Sequence, residues 1–388
     1  MLKFKSILNP VTIYSVFVFF MGYSYLPISN DQHKSYYWLT ELIFFSSVFS
    51  FLAGCFFHRS DPRRFKLPKF TLPMLKILFM LTVILGILIF LLEIVKIGYM
   101  PILNLGGGLD VYSEANENLI PFGHYLVLFM ALMPSIAYTF WKLKRINFLI
   151  FIVVSIIGFF IIVNFLSRQT ILLLLLSLFF SYSYFTKVSN MKIILMGLAA
   201  VAMFIFVGNL RADSSDVEIV NESLKSYANI DKSVHLSETY VTLYSSKNFT
   251  TFDDLVIKTI NNSNYGYGIY TLKPIISLLF LDRLGLVYYD SNYDGFTRLG
   301  TYMIEPFSDF HIIGAILFNF LIGYLAMNTF KSFYRKANTS SIVNYSLVVY
   351  CMIMAPFTNF YLSFFIWFSI LLNALLTNSN LEKKPDSL

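Results

Sequence analysis

The 388-residue chain has few charged side chains for its length. Asp, Glu, Lys and Arg together make up 13% of it, while hydrophobic residues make up 57%. Soluble globular domains carry roughly a quarter charged residues, and disordered chains combine high charge with few apolar residues. The composition therefore excludes both classes and indicates a protein that is solvated largely by lipid.

Cysteine and histidine are also scarce. The chain has two cysteines, Cys55 and Cys351, each inside an apolar run, and five histidines. This number and spacing provide neither a disulfide framework nor a Cys/His pattern for a metal. A glycine-rich nucleotide-binding motif of the Walker type is missing as well. We therefore predict a protein that uses no metal and no other cofactor.

Long apolar runs recur along the sequence. A helix needs about 20 apolar residues to cross a hydrocarbon core of ~30 Å, and windows of this length predict an all-α polytopic membrane protein of about ten transmembrane helices. Residues 1–388 then form a single integral membrane domain. The predicted spans are 7–27, 37–57, 74–96, 120–141, 147–166, 170–186, 193–210, 311–330, 341–357 and 361–377.

The net charge of +7 is distributed unevenly between the connecting segments. Most Lys and Arg residues fall in alternate segments, around residues 3–5, 59–76, 142–145, 187–192, 331–336 and 383–384. Basic loops mark the cytoplasmic side, so both termini are predicted to be cytoplasmic and residues 211–309 extracytoplasmic. The positive charge is thus explained by topology, and we predict no nucleic-acid partner.

Residues 211–309 form one large polar loop of about a hundred residues. Within it, residues 265–281 have a short apolar core that Lys273 and Pro274 interrupt. If this segment crossed the membrane, the basic cluster at 331–336 would move to the outside, against the charge rule. We therefore predict short interfacial or re-entrant helices here, and a tight hairpin at the polar break 356–359.

Two arginines are predicted to lie at the outer interface. Arg168 falls between two apolar runs with almost no loop, and Arg211 follows the seventh predicted span. An arginine near membrane depth is costly unless it is paired or extends to the interface. Its planar guanidinium group can bind a phosphate through two hydrogen bonds. Each arginine is therefore either a phosphate ligand or an interfacial anchor.

Ionisable residues are concentrated where the end of the large loop meets the eighth predicted span. Arg298, Glu305, Asp309 and His311 lie there, and the four-residue spacing of the two carboxylates would place both on one face of a helix. A carboxylate or imidazole can act as a general base toward a hydroxyl group, although Asp309 could also be a helix cap. We predict Asp309 as the base, paired with His311, with Glu305 as the next candidate.

Aromatic and basic residues inside the loop add possible binding groups. Tyr270 ends the tyrosine-rich run 264–270, which could stack on sugar rings or serve only in packing, and Lys273 follows it. Both residues, with Arg298, join the two interfacial arginines in the predicted substrate-binding set.

Three short motifs and a glycine occur in order within residues 265–325: Tyr270-Thr271, Gly300-Thr301-Tyr302, Asp309-Phe310 and Gly314. Together they resemble the C-terminal signature of the bacterial oligosaccharide repeat-unit polymerases, the Wzy family of O-antigen and capsule polymerases. The Arg168 hairpin, the Arg211 junction and the single dominant outer loop are similar as well. The sequence departs from the family at His311, where a glycine usually follows the Asp-Phe pair.

The resemblance implies transfer of a growing glycan from an undecaprenyl diphosphate carrier to the non-reducing end of the next lipid-linked repeat unit. The reaction would occur at the outer face of a bacterial cytoplasmic membrane, without a nucleotide sugar or a metal. Lipid-linked oligosaccharides and membrane lipids are the implied partners, with a chain-length regulator as a further candidate. Arginines at headgroup depth suit a diphosphate leaving group, and a carboxylate suits deprotonation of the acceptor hydroxyl.

Three other classes of membrane protein fit the sequence less well. A flippase for lipid-linked oligosaccharides, the main alternative, should carry charges inside its helices and only short loops. A polyprenyl-phosphate-sugar glycosyltransferase needs paired carboxylates in its first outer loop, where residues 28–35 offer only Asp31 and His33. A multispan O-acyltransferase should place its histidine and arginines toward the cytoplasm.

Overall fold

The computed structural model describes residues 8–23, 36–57, 70–104, 118–165, 167–186, 248–262, 266–279, 301–335 and 339–377, together with residue 281 and parts of 188–206. These ranges contain twelve α-helices and two short 3₁₀ segments. The helices are α1 (Pro10–Tyr23), α2 (Trp38–Phe56), α3 (Leu72–Ile97), α4 (Gly123–Phe129), α5 (Met133–Lys142), α6 (Phe148–Asn164), α7 (Arg168–Phe185), α8 (Asn248–Asn262), α9 (Lys273–Leu278), α10 (Ile304–Arg335), α11 (Thr339–Met354) and α12 (Phe364–Thr377).

The long helices have the apolar surface that a bilayer requires. In the described ranges, α2, α3, α7 and α10 are long and apolar enough to cross a membrane, and the bent pair α4–α5 makes a fifth span if it counts as one. Helices α1, α6, α11 and α12 are apolar but shorter. The chain is therefore a helical membrane protein. The number of ten spans stays a prediction, because the seventh segment, 193–210, lies largely outside the described residues.

The fourth predicted span, 120–141, is not one straight helix. It is divided into α4 and α5, which meet at an angle of 47°. Pro134 has no N–H group to donate to the carbonyl of Met130, as a continuous α-helix would require. Residues 130–133 instead make tighter bonds to the carbonyl three residues earlier. The bend is the local consequence of one proline that apolar length alone does not reveal.

The eighth predicted span, 311–330, begins earlier than expected. Helix α10 starts at Ile304, and its backbone departs from helical geometry only at Phe310 and His311. Asp309 therefore lies within the helix, ahead of a kink, and is not the cap of its first turn. The kink separates a short first segment, 304–309, from the long membrane helix.

Helices α2 and α10 cross at glycines. A Cβ atom on Gly54 would come within 2.1 Å of the carbonyl oxygen of Phe320, and one on Gly323 would come within 2.1 Å of the carbonyl oxygen of Phe51. Small residues allow two backbones to approach closely, and the resulting van der Waals contacts stabilise helix pairs in lipid. These two glycines therefore fix how α10 packs against α2.

The helices define two ends of the bundle. The start of α3, the α5–α6 turn and the ends of α7 and α10 lie at one end, where Phe79 packs on Phe140 and Tyr184 on Phe333. The start of α10 and the α11–α12 turn lie at the other, which we call the Glu305 end. The first is the basic end, named for its cations Lys76, Lys142, Lys144 and Arg145.

Described parts of the large polar loop pack on the Glu305 end. Asp253 in α8 accepts a hydrogen bond from the backbone N–H of Tyr37 at 3.0 Å, and the Asn248 side chain donates to the carbonyl oxygen of Pro356 at 3.1 Å. Helix α9 has six residues. Its length of about 9 Å is well short of a hydrocarbon core of ~30 Å. Helices α8 and α9 thus lie at the Glu305 end of the bundle, beside Asp309, the predicted base.

Candidate functional site

The sharp turn inside α10 shapes the candidate site. His311 has φ 51° and ψ −138°, a conformation in which a Cβ atom is crowded and glycine is the usual residue. Beyond it, a Cβ atom on Gly314 would come within 2.0 Å of the carbonyl oxygen of Pro306. The two parts of α10 are thus in close backbone contact across the kink. The ring of His311, half-buried, stacks on Phe307 with 5.5 Å between ring centroids.

Asp309 is fully buried, and both of its carboxylate oxygens accept hydrogen bonds. Oδ1 accepts from the backbone N–H of Tyr270 at 3.1 Å, and Oδ2 accepts from the backbone N–H of Thr271 at 2.6 Å and from the Thr271 hydroxyl. A Cβ atom on Gly266 would lie only 2.3 Å from Oδ1. Hydrogen bonds to an ionised carboxylate are stronger than neutral ones. Asp309 therefore holds the turn 266–272 against the first segment of α10.

Glu305 has a different environment from Asp309. Its side chain is half-buried beside the α11–α12 turn, and its Oε2 atom accepts a hydrogen bond from the Asn359 side chain at 3.1 Å. The same amide nitrogen donates to the carbonyl oxygen of Tyr302 at 2.9 Å. Lys273 and Asp309 are close enough to act on Glu305 electrostatically. Glu305 is thus the less buried residue of the two.

Several polar atoms around Glu305 are buried without a hydrogen-bond partner among the described residues. They are the Oδ1 atom of Asn359, the hydroxyl of Thr301 and the hydroxyl of Tyr361. A buried polar group without a partner costs about 1–3 kcal/mol. The neighbourhood of Glu305 is therefore incompletely hydrogen-bonded by the described side chains.

A buried polar network supports this neighbourhood from within the bundle. The hydroxyls of Tyr14 and Tyr302 lie 2.7 Å apart, and both donate to the side-chain oxygen of Asn319. The network fixes Tyr302, whose carbonyl oxygen orients Asn359. The sequence pattern did not single out Asn319, and it indicated Asn359 only as part of the polar break 356–359. An asparagine inside an apolar run was the available signal for the first, since polar groups are costly in lipid.

The other residues that were predicted to bind substrate differ in their exposure and in their position. The Tyr270 side chain is 6% exposed and belongs to the core, whereas Tyr267 of the same run is 78% exposed. Lys273 is exposed at the start of α9. Arg168 begins α7 at the Glu305 end and is half-buried. Arg211 and Arg298 lie outside the described residues.

A second pair of ionisable residues lies at the Glu305 end. Glu93 is fully buried near the end of α3, and both of its carboxylate oxygens are 3.1 Å from Nδ1 of His124. The backbone N–H of Ile120 donates to the same carboxylate at 3.2 Å. The pair ties α3 to the start of α4. Across the described ranges, no group of three or more His, Cys, Asp and Glu side chains could hold a metal ion, and a metal-free reaction stays a prediction.

The fold and the site define a helical membrane protein with a polar, carboxylate-containing surface at one end of its bundle. The sequence profile of the O-antigen polymerases matches residues 6–235, which is more than half of the chain. The chain belongs to this family, and its role is in O-antigen polymerisation. The Glu305 surface lies beyond the matched residues. No curated protein and no solved structure matches the chain.

Proposed function

We propose that this protein joins oligosaccharide repeat units, carried on undecaprenyl diphosphate, into a polysaccharide at the outer face of the cytoplasmic membrane. Family membership supports the polymerisation and a lipid-linked substrate. The observation that carries the proposed site is the Glu305–Asn359 pair. It combines a carboxylate residue that is less buried than Asp309 with an amide whose own oxygen is buried without a described partner. A carboxylate held by such a neighbour can take a proton from a substrate hydroxyl group.

In the proposed reaction, a hydroxyl group of the acceptor attacks the anomeric carbon of the donor glycan. A bond forms between the hydroxyl oxygen and that carbon, while the bond from the carbon to the carrier diphosphate breaks. Glu305 takes the hydroxyl proton, and the diphosphate leaves with the bonding electron pair. A positioned general base typically contributes about 10²–10⁴-fold to such a rate.

We assign Asp309 a positioning role, in place of the role as base that the sequence favoured. Its oxygens already accept hydrogen bonds from Tyr270 and Thr271, and its burial keeps an acceptor hydroxyl away. By holding the turn 266–272, Asp309 keeps Lys273 close to Glu305. His311 shapes the kink that presents Glu305.

The leaving diphosphate needs cations near headgroup depth. Arg168 starts α7 at the Glu305 end, and its guanidinium group can form paired hydrogen bonds to a phosphate. We propose Arg168, Arg211 and Arg298 as ligands of the carrier diphosphate. Lys273 is proposed as a further cation on the acceptor side, because it is exposed at the start of α9, next to the turn that Asp309 holds.

Replacement of Glu305 tests the proposed base. Glu305→Gln keeps the size of the side chain and an oxygen that Asn359 can contact, but it removes the basic carboxylate. In a strain that lacks the wild-type gene, we expect this variant to leave surface glycans with one repeat unit in place of long chains. Electrophoresis of extracted glycan measures the chain length, and immunoblotting checks the protein level.

Asp254→Asn is the matched control, because Asp254 is an exposed acid in α8 at the same end. It should retain long chains. Long chains made by a normally expressed Glu305→Gln protein would place the base elsewhere. If deletion of the gene left no repeat unit on the surface at all, a flippase would explain the result better than a polymerase.

A further inference from the structure

A cavity of about 600 Å³ opens at the basic end, far from Glu305. It lies between the start of α3 and the turn that joins α5 to α6. Three cationic side chains line it, Lys76, Lys144 and Arg145, and the described residues of its wall include no Asp or Glu. Three cationic side chains, with no acidic side chain among the described wall residues, favour an anionic ligand.

The turn between α5 and α6 carries two of these cations, Lys144 and Arg145. Lys144 has φ 56°, in the left-handed region where glycine or asparagine is favoured over a long side chain. Its backbone N–H donates to the carbonyl oxygen of Trp141 at 2.9 Å, and that of Arg145 donates to Phe140 at 2.8 Å. A lysine in a position that suits glycine indicates that its charged side chain has a use there.

The start of α6 also favours an anionic ligand. Asn147 and Phe148 line the cavity, and the Asn147 side chain accepts a hydrogen bond from the backbone N–H of Ile150 at 2.8 Å. The remaining N–H groups of the first turn carry the positive end of the helix dipole, which favours an anion beside them. This 17-residue helix therefore acts together with the three side chains.

The rest of the wall is apolar and continues onto exposed apolar surface. Phe79 is buried at its floor, whereas Met80 and Phe148 are 40% and 55% exposed. Trp141 also lines the cavity, and tryptophan is enriched where a bilayer meets water. A ligand that matches this wall has an anionic head and an apolar chain. Free phosphate would leave the apolar part of the cavity unused.

We propose that this cavity binds the phosphate headgroup of an anionic phospholipid, with its acyl chains along Met80 and Phe148. Lys76, Lys144 and Arg145 surround the phosphate, and Trp141 sets the depth of the headgroup. Basic cavities between membrane helices are suited to anionic headgroups in this way. The site is separate from the polymerisation site and does not depend on its assignment.

Lipid retention by the purified full-length protein tests the proposal. The probes are phosphatidylglycerol and phosphatidylcholine in detergent, with native mass spectrometry counting retained lipids and a thermal melt measuring stabilisation. We expect phosphatidylglycerol to be retained in preference. In a Lys76→Gln/Lys144→Asn double variant, its retention should fall on the order of 10-fold, since each cation near a membrane surface adds to the attraction.

Two features of the design separate binding from folding. Asparagine tolerates a positive φ, so Lys144→Asn removes the charge without straining the turn. Lys192→Gln is the matched control, because Lys192 is an exposed lysine that does not line the cavity, and its retention should equal that of the wild type. Equal retention by the double variant would overturn the proposal. Full displacement of the lipid by millimolar inorganic phosphate would overturn the choice of a lipid.

Discussion

Glu305 and Asp309 are four residues apart, but their surroundings give them different chemistry. The sequence could predict two carboxylates on one helical segment, because that depends on local spacing. It could not predict that Asp309 accepts hydrogen bonds from Tyr270 and Thr271, which precede it by 39 and 38 residues. Nor could it predict the Asn359 contact that singles out Glu305, since this partner follows 54 residues later. Long-range hydrogen bonds decide which of two similar acids remains available.

The backbone conformation of His311 leads to a stability prediction at the same scale. His311→Gly removes a crowded Cβ atom but also the ring that stacks on Phe307, while His311→Ala removes only the ring. A side chain held in such a sparsely populated backbone region costs about 1–3 kcal/mol. We therefore expect the glycine variant to melt at a higher temperature than the alanine variant, as measured by thermal unfolding in detergent.

Polymer length provides the second measurement for these two variants. If the only role of His311 is to form the kink, the His311→Gly variant should still build long chains. Both variants lack the ring, so equal melting temperatures would show that the backbone conformation of residue 311 does not limit the stability of this turn. Loss of polymer from a stable glycine variant would instead assign the imidazole a part in the reaction.

At the scale of elements, the length of the apolar runs predicted the bounds of some helices but not the shape of others. Helices α2 and α3 begin and end within two residues of the predicted spans 37–57 and 74–96, because bilayer thickness sets the length of a span. The bend between α4 and α5 depends on the missing N–H of Pro134. The early start of α10 depends on contacts with the turn 266–272. Neither cause changes the hydropathy of the sequence.

The crossing of α2 and α10 leads to a prediction for a pair of helices. Gly54→Ala would place a methyl group against the carbonyl oxygen of Phe320, so the helices must separate. Overpacking of this kind typically costs about 1–3 kcal/mol. We expect less monodisperse protein after detergent extraction, measured by size-exclusion chromatography with a fluorescent fusion.

Gly22→Ala in α1 is the matched control, because a Cβ atom there would have no neighbour within 4 Å. It should leave the yield unchanged, and Gly323→Ala should behave like Gly54→Ala. If Gly54→Ala were extracted as well as Gly22→Ala, the close approach of α2 and α10 would not contribute to stability.

At the scale of the whole molecule, the two ends of the bundle differ in chemistry. The Glu305 end carries the carboxylates and the packed parts of the large loop, and the basic end carries the cationic cavity. Two apolar clusters fill the bundle between them, and α11 contributes to both, through Tyr345 in one and Leu347 in the other. The sequence predicted this polarity from charge alone, because loop charges determine orientation in a membrane. It could not predict the cavity, which arises only when α3 packs beside the α5–α6 turn.

This polarity predicts which residues face each side of the membrane. Tyr267 is 78% exposed in the turn 266–272, and Lys142 is exposed at the basic end. The charge pattern places the first outside and the second in the cytoplasm. A membrane-impermeant maleimide should therefore label Tyr267→Cys in intact spheroplasts and Lys142→Cys only after permeabilisation.

The two native cysteines make this measurement feasible without prior substitution. Cys55 and Cys351 are both buried, so the wild-type protein should give a low background in either condition. The reverse pattern, with Lys142→Cys labelled from outside, would place the Glu305 surface in the cytoplasm. A site there could not meet repeat units that have already crossed the membrane, so the proposed polymerisation at the outer face would fail together with the orientation.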